Sequence, residues 1–119
     1  ARPKRIAAPF PKLITDKREI DKIINEKIKG KRLIFTNYYY LGIDKKGINH
    51  DRVLEIFKRF DKITFIEIKT LKYGDRGYEL FYKIDENITF SIATCPKDNY
   101  LLFIHAIEYK RNLQKRIKK

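Results

Sequence analysis

The C-terminal half of the chain alternates apolar and polar positions. Residues 78–84, 88–94 and 101–107 are rich in β-branched and aromatic side chains, and residues that favour turns separate them. This pattern predicts three strands of an antiparallel meander, which a further strand over residues 62–73 precedes. Residues 101–107 are apolar on both faces, so we expect that strand to lie in the middle of the sheet.

The N-terminal half shows apolar positions at helical spacing instead. Four isoleucines between positions 20 and 28 form one stripe, which predicts a helix that begins at Thr15 or Asp16 and ends at Gly30. A second stripe predicts a helix over residues 49–60, and a short strand over residues 32–36 lies between the two helices. Residues 38–47 begin with three tyrosines and are ambiguous.

The two ends of the chain complete the predicted fold. Residues 1–14 combine three prolines with basic residues, which indicates an extended basic arm. After Glu108 the chain contains six basic residues and no acid, and we expect a basic helix there. The predicted fold is therefore α+β, with N-terminal helices packed on a small, mainly antiparallel sheet of four or five strands and with a basic C-terminal helix. Residues 15–119 form a single domain in this prediction.

The charge balance favours a polyanionic partner. The chain has 28 Lys and Arg against 15 Asp and Glu, a net charge of +13, and most of the excess lies at the two ends. Such clustering is typical of proteins that contact a phosphate backbone or an anionic surface. No apolar run approaches the roughly 20 residues that cross a bilayer, and the N-terminus shows no apolar signal segment. We therefore expect a cytoplasmic protein without membrane association, and the Ile- and Lys-rich composition favours a thermophilic host.

The sequence lacks the motifs of several classes of enzyme. The sequence contains no glycine-rich phosphate loop and no nucleophile elbow, and its carboxylates are not grouped to hold magnesium. Cys95 is the single cysteine, and no Cys or His stands at metal-ligand spacing from it. We therefore expect neither a metal nor a cofactor.

The remaining candidate residues are suited to phosphodiesters. Cleavage of RNA without a metal needs a proton acceptor, a proton donor and cations that stabilise the developing phosphorane. His105 is the sharpest candidate for proton transfer because an imidazole titrates near neutral pH, and a core histidine is the alternative. We assign the catalytic roles to His105, Tyr109 and Arg111. The predicted nucleic-acid contacts are Arg2, Lys4, Arg5, Arg76, Tyr82, Lys83, Lys110, Lys115 and Arg116.

Residues 74–84, the two strands after them and residues 109–114 resemble the C-terminal half of RelE/ParE-type toxins. That family has a turn, a strand with alternating Arg and Tyr, and a last strand that runs into a basic ending. The resemblance implies a compact domain that cleaves messenger RNA at the ribosome or poisons gyrase. It also implies an acidic, antitoxin-like protein partner that neutralises the domain.

The resemblance assigns roles to a few positions of this chain. Lys83, Lys110 and Arg111 match positions that contact phosphate, and Tyr82 and Tyr109 are supports. Where the family tends to place an Arg in the first of these strands, the chain has Glu79. Where the family often ends on a functional Tyr, the chain has Gln114.

The sequence thus predicts a nucleic-acid-binding protein, with metal-independent cleavage of RNA as its candidate activity. One alternative is a non-catalytic module that binds DNA or RNA, and another is a metal-dependent enzyme that nicks DNA with Tyr109 as nucleophile. We expect RNA more strongly than DNA as the partner. A homodimer is also expected, because an exposed edge strand can pair with a second copy.

Overall fold

The computed structural model describes residues 11–72 and 74–110. Within these ranges the chain folds into three α-helices and one six-stranded sheet. The helices are α1 (Lys17–Ile23), α2 (Asn37–Lys46) and α3 (His50–Phe57). The strands are β1 (Lys12–Ile14), β2 (Arg32–Phe35), β3 (Ile63–Thr70), β4 (Arg76–Lys83), β5 (Thr89–Pro96) and β6 (Tyr100–Tyr109). A π-helical segment, Ile24–Ile28, continues α1, and a 3₁₀ turn, Phe60–Lys62, precedes β3.

Side chains and glycines fix the ends of α2 and α3. The Thr36 hydroxyl accepts a hydrogen bond from the backbone N–H of Tyr39 at 3.0 Å, which satisfies a free donor at the start of α2. Gly47 ends α2 with a positive φ of 69°, a conformation that glycine adopts without strain. The Asn49 side chain accepts hydrogen bonds from the N–H groups of Asp51 and Arg52 at the start of α3.

The strands lie in the order β1-β3-β4-β5-β6-β2. All neighbouring pairs are antiparallel except β2 and β6, which are parallel with Phe35 opposite Phe103. The register of β5 against β6 shifts between Ala93 and Thr94, as a β-bulge produces. The two edge strands, β1 and β2, contain only three and four residues. Such short edges limit uncontrolled pairing with other chains.

The predicted sheet of four or five mainly antiparallel strands followed by a basic C-terminal helix is wrong. The sheet is mixed and has six strands, and its last described element is a strand that runs through Glu108 to Tyr109. The meander predicted for the C-terminal half is present as β3–β6. The prediction missed β1 and the pairing of β2 with β6. Both edge strands are too short to show a clear alternation of apolar and polar residues. Residues 111–119, which the predicted helix also covered, lie outside the described residues.

The two faces of the sheet have different neighbours. Isoleucines of α1 and of its π-helical continuation, together with Tyr39 and Phe57, pack on one side, which we call the helix face. Ile66, Leu80 and Phe90 belong to this core and are fully buried. On the second face, Phe65 and Phe81 stack with ring centroids 4.3 Å apart, and no helical side chain belongs to their cluster.

The two basic ends of the chain join the fold at different corners of the sheet. Lys12 of β1 pairs with Ile68 of β3, whereas Tyr109 at the end of β6 pairs with Thr89 of β5. The register places these corners about 20 Å apart along the strands, and β1 and β6 are four strand spacings, again about 20 Å, apart across the sheet. The described residues therefore bring the two chain ends to separate corners.

Candidate nucleic-acid interface

Several cations gather at the corner of the sheet where β6 ends, which we call the basic corner. Lys83 of β4 and Tyr109 of β6 flank Thr89 in one row across the sheet, and the exposed Lys110 follows directly. On the helix side of the same corner, the Arg52 guanidinium lies 3.2 Å from the Glu108 carboxylate. This ion pair ties the start of α3 to the end of β6.

Beside this ion pair, a cleft of about 310 Å³ opens between α3 and the β4–β5 turn. We call it the basic cleft, and its lining residues are Arg52, Glu55, Ile56, Arg59, Lys62 and Ile84. Arg59 and Lys62 are exposed and form no salt bridge with any residue in the described ranges. Their charges are thus available to an anionic ligand. Arginine is well suited to phosphate because its planar fork can donate two hydrogen bonds to the same group.

Sequence reasoning missed Arg52, Arg59 and Lys62. The signal was present, because in the helix predicted over residues 49–60, Arg52 and Arg59 stand seven positions apart, two turns of helix, and so share one face. That face lies beside the apolar stripe of α3, whose buried residues are Val53, Ile56 and Phe57. The sequence analysis considered only the apolar stripe of this helix and assigned no role to its cations.

The acids of the chain are distributed differently from the cations. All Asp and Glu lie between Asp16 and Glu108, whereas three of the 28 Lys and Arg lie in residues 1–10 and five in residues 111–119. The basic corner thus leads into a segment that contains five cations and no acid. The cations of residues 1–10 join the fold at the opposite corner, beside Lys12.

The structure separates the predicted nucleic-acid contacts that it describes. Lys83 and Lys110 lie at the basic corner, where Lys83 Nζ is 3.9 Å from the exposed carboxylate of Glu86. Arg76 begins β4, seven positions and about 24 Å from Lys83 at the far end of the same strand. The predicted contacts Arg2, Lys4, Arg5, Lys115 and Arg116 and the predicted catalytic Arg111 lie outside the described residues.

Tyr82, another predicted contact, belongs to the core. Its side chain is fully buried on the helix face, and its hydroxyl donates a hydrogen bond of 2.9 Å to the carbonyl of Phe57. Burial raises the pKa of Tyr82 well above its ordinary value, so the hydroxyl keeps its proton. Tyr82 therefore stabilises the junction of α3 with the sheet and is not exposed to a ligand.

Replacing Tyr82 with Phe tests this assignment. We expect Tyr82→Phe to lower the free energy of unfolding by about 1–2 kcal/mol, because the buried Phe57 carbonyl loses its donor. Urea denaturation measures this loss, and Tyr38→Phe, at a side chain that is 67% exposed, is the matched control. An RNA affinity that falls in the folded Tyr82→Phe protein, with stability unchanged, would contradict the core assignment.

His105 and Tyr109, both predicted catalytic residues, lie four positions apart on β6. Their Cα atoms are therefore about 13 Å apart, whereas an acid and a base that act on one phosphodiester must each lie within hydrogen-bond reach of it. Tyr109 is half-buried and stacks against Phe81 at a centroid distance of 6.4 Å. The two residues share the second face but do not form one compact constellation.

The surroundings of His105 keep its imidazole neutral. Burial lowers the pKa of His105, with Lys46 and Lys69 acting in the same direction and the Glu79 carboxylate acting against them. His105 Nδ1 is buried and has no hydrogen-bond partner among the residues of the described ranges. In register, Ala93 lies between His105 and Glu79, so the imidazole and the carboxylate are on strands two places apart.

Comparison with protein-family models, curated proteins and solved structures found no match. The resemblance to RelE/ParE-type toxins therefore stays a prediction. Within residues 11–72 and 74–110, no group of three or more His, Cys, Asp or Glu side chains is arranged to hold a metal ion. In the same ranges, no helix is both long and apolar enough to cross a membrane.

Proposed function

We propose that the protein binds nucleic acid at the basic corner, which comprises the basic cleft, Lys83, Lys110 and the basic residues of 111–119. The observation that carries the proposal is the position at which β6 ends. There the chain leads into a segment with five cations and no acid, and Arg52, which pairs with Glu108 of β6, also lines the basic cleft. Arg59 and Lys62 of this cleft form no salt bridge with a described residue. Together these cations are numerous enough to contact several phosphates of one nucleic acid.

The physical basis is the exchange of counterions for protein charges. A nucleic acid holds condensed cations along its backbone, and each phosphate that a Lys or Arg neutralises releases part of this atmosphere. The five cations of residues 111–119 offer up to five such contacts. The net charge of +13 additionally attracts the polymer from a distance.

The N-terminal cations contribute from the other corner of the sheet. Because β1 begins about 20 Å along and about 20 Å across the sheet from the end of β6, we propose that the two ends contact different stretches of one polymer. RNA is the first ligand to test, since we expect it more strongly than DNA as the partner, and we propose the cytoplasm as the compartment of the protein.

The proposal covers binding and leaves cleavage as a prediction from the sequence. His105 and Tyr109 lie too far apart along β6 to act as an acid and a base on the same phosphodiester. A binding experiment in the presence of EDTA nevertheless reports on cleavage, because the RNA recovered from each sample shows whether strands were cut.

Reversing two charges of the basic cleft tests the proposal. We expect Arg59→Glu combined with Lys62→Glu to weaken binding of labelled single-stranded RNA about tenfold or more, because two attractive phosphate contacts become repulsive. The matched control reverses Lys22 and Lys45, which are exposed, do not line the basic cleft and change the net charge equally. We expect this control to weaken binding by less than about threefold.

Filter binding or fluorescence anisotropy at several salt concentrations gives both affinities. Single-stranded DNA and duplexes of both kinds, measured in parallel, identify the preferred polymer. Equal losses in the cleft variant and in its control would show that only the overall charge matters, and the cleft would then not be the binding site.

A further inference from the structure

A second concave surface lies on the other side of α3 from the basic cleft. It is a groove of about 370 Å³ between the turn that follows the π-helical segment and the C-terminal end of α3. Leu33, Leu54 and Phe60 form a half-buried apolar floor, and Gly30 stands in the turn with a φ of 81°. A floor of this kind, left partly open to water, favours a ligand that covers it.

The charged residues that line this groove are all lysines. Lys29 and Lys31 come from the turn, and Lys58 comes from the end of α3. Lys31 Nζ donates a hydrogen bond to the carbonyl of Lys97, and Lys29 Nζ lies 5.7 Å from the centre of the Phe60 ring. Neither Lys29 nor Lys58 forms a salt bridge with a residue of the described ranges.

We propose that this groove binds an acidic peptide segment of a partner protein, which places one large apolar side chain on the floor and carboxylates beside Lys29 and Lys58. Cations on both walls favour a ligand with negative charge on both sides of an apolar centre. A fatty acid carries one charged group at one end and would leave one wall unmatched. A nucleobase would find no side-chain acceptor and no donor other than lysine for its polar edge.

The groove and the basic cleft use different residues of α3 and of the two positions that follow it. Leu54, Phe57 and Lys58 line the groove, whereas Arg52, Ile56 and Arg59 line the cleft. Both ligands can therefore be present together, and peptide binding at the groove does not depend on the proposed binding of nucleic acid.

The test uses a blocked heptapeptide with a central tryptophan and three glutamates on each side. Because the protein contains no tryptophan, the fluorescence of this residue reports the environment of the peptide alone. We expect saturable binding with a blue shift of the tryptophan emission, since the indole leaves water for the apolar floor. A peptide with serine at the centre should bind about tenfold or more weakly.

Two protein variants separate charge from apolar contact. Lys29→Glu combined with Lys58→Glu should weaken binding about tenfold or more, whereas the control reversal of Lys22 and Lys45 should change it by less than about threefold. Leu54→Gln should remove most of the blue shift while the net charge stays the same. Circular dichroism checks that each variant is folded.

Each alternative outcome would overturn the proposal. Equal weakening by the two double reversals would indicate unspecific attraction, and an unchanged blue shift in Leu54→Gln would place the tryptophan elsewhere. Tighter binding of decanoate than of the peptide would make a monocarboxylate the ligand. Displacement of the peptide by RNA in the native protein would mean that the groove belongs to the nucleic-acid site.

Discussion

Replacing the five basic residues that follow Lys110 with glutamine is expected to weaken RNA binding about a hundredfold or more at roughly 50 mM salt. These residues are Arg111, Lys115, Arg116, Lys118 and Lys119. For single-stranded nucleic acid, each phosphate contact contributes about −0.7 to the slope of log affinity against log salt concentration. If all five residues contact phosphate, the slope becomes shallower by about 3 to 4. Glutamine keeps the chain length and polarity, so the variant removes charge alone.

A salt titration of affinity measures both quantities. The matched control carries five glutamines at exposed cations that do not line the basic cleft. These cations are Lys12, Arg18, Lys22, Lys27 and Lys45. Both proteins have the same net charge, so long-range attraction falls equally in the two, and only the lost contacts differ. If the control flattens the salt dependence as much as the C-terminal variant does, binding is a property of the whole charge and not of the basic corner.

The parts of the fold that could be predicted are those in which a regular pattern of apolar positions extends over many consecutive residues. The alternation along β3–β6 and the isoleucine stripe of α1 each extend over seven or more residues, which is enough to separate a strand from a helix. The edge strands are too short for such a signal. The pairing of β2 with β6 in addition joins residues such as Phe35 and Phe103, which lie far apart in the sequence and therefore leave no local trace.

The predicted C-terminal helix shows why charge is a poor guide to secondary structure. The absence of acids after Glu108 indicates the kind of partner. It does not distinguish a strand from a helix, because either can present basic side chains. The alternation of side chains was a better guide than charge, because His105, Ile107 and Tyr109 lie on one face of β6 at every second position. Extending that alternation by two residues would have placed Tyr109 in the sheet.

The charge of the candidate site was predictable from the sequence, but its member residues were less so. Lys83 and Lys110 were named from the sequence and lie at the basic corner, while Arg59 and Lys62 were missed because they come from other elements. Tyr82 was included although it alternates in phase with Tyr78 and Leu80, the face that the helices cover. Tyr82 was selected for its residue type and then supported by the family resemblance, whereas the alternation along β4 indicated burial.

Phe103 is the centre of the aromatic core that holds β2, α2 and α3 on the sheet. Its ring centroid lies 4.7 Å from that of Phe35, 5.0 Å from that of Phe57 and 5.9 Å from that of Tyr39. Its carbonyl also accepts a hydrogen bond of 3.2 Å from the Thr36 hydroxyl. Because the side chain is fully buried, removing it leaves a cavity that neighbouring elements cannot fill without moving.

We expect Phe103→Ala to lower the free energy of unfolding by about 3–5 kcal/mol, the range typical of a large aromatic side chain lost from a core. Urea denaturation followed by circular dichroism gives the value, and an unchanged m-value would show that the unfolding transition exposes the same surface. Phe103→Leu, which keeps most of the volume, should cost less than about half as much. Tyr38→Ala, at an exposed position on α2, should stay within about 0.5 kcal/mol of the native protein.

The same variant separates stability from binding. Phe103 is level with Lys12 in the register, about 20 Å along the sheet from the end of β6. Under conditions in which Phe103→Ala is folded, its RNA affinity should therefore stay within about threefold of that of the native protein, because the variant removes none of the charges of the basic corner. A loss below about 1 kcal/mol would show that the aromatic core does not hold α2 and α3 in place. A large loss of affinity in the folded variant would show that the basic corner depends on the packing at the opposite end of β6.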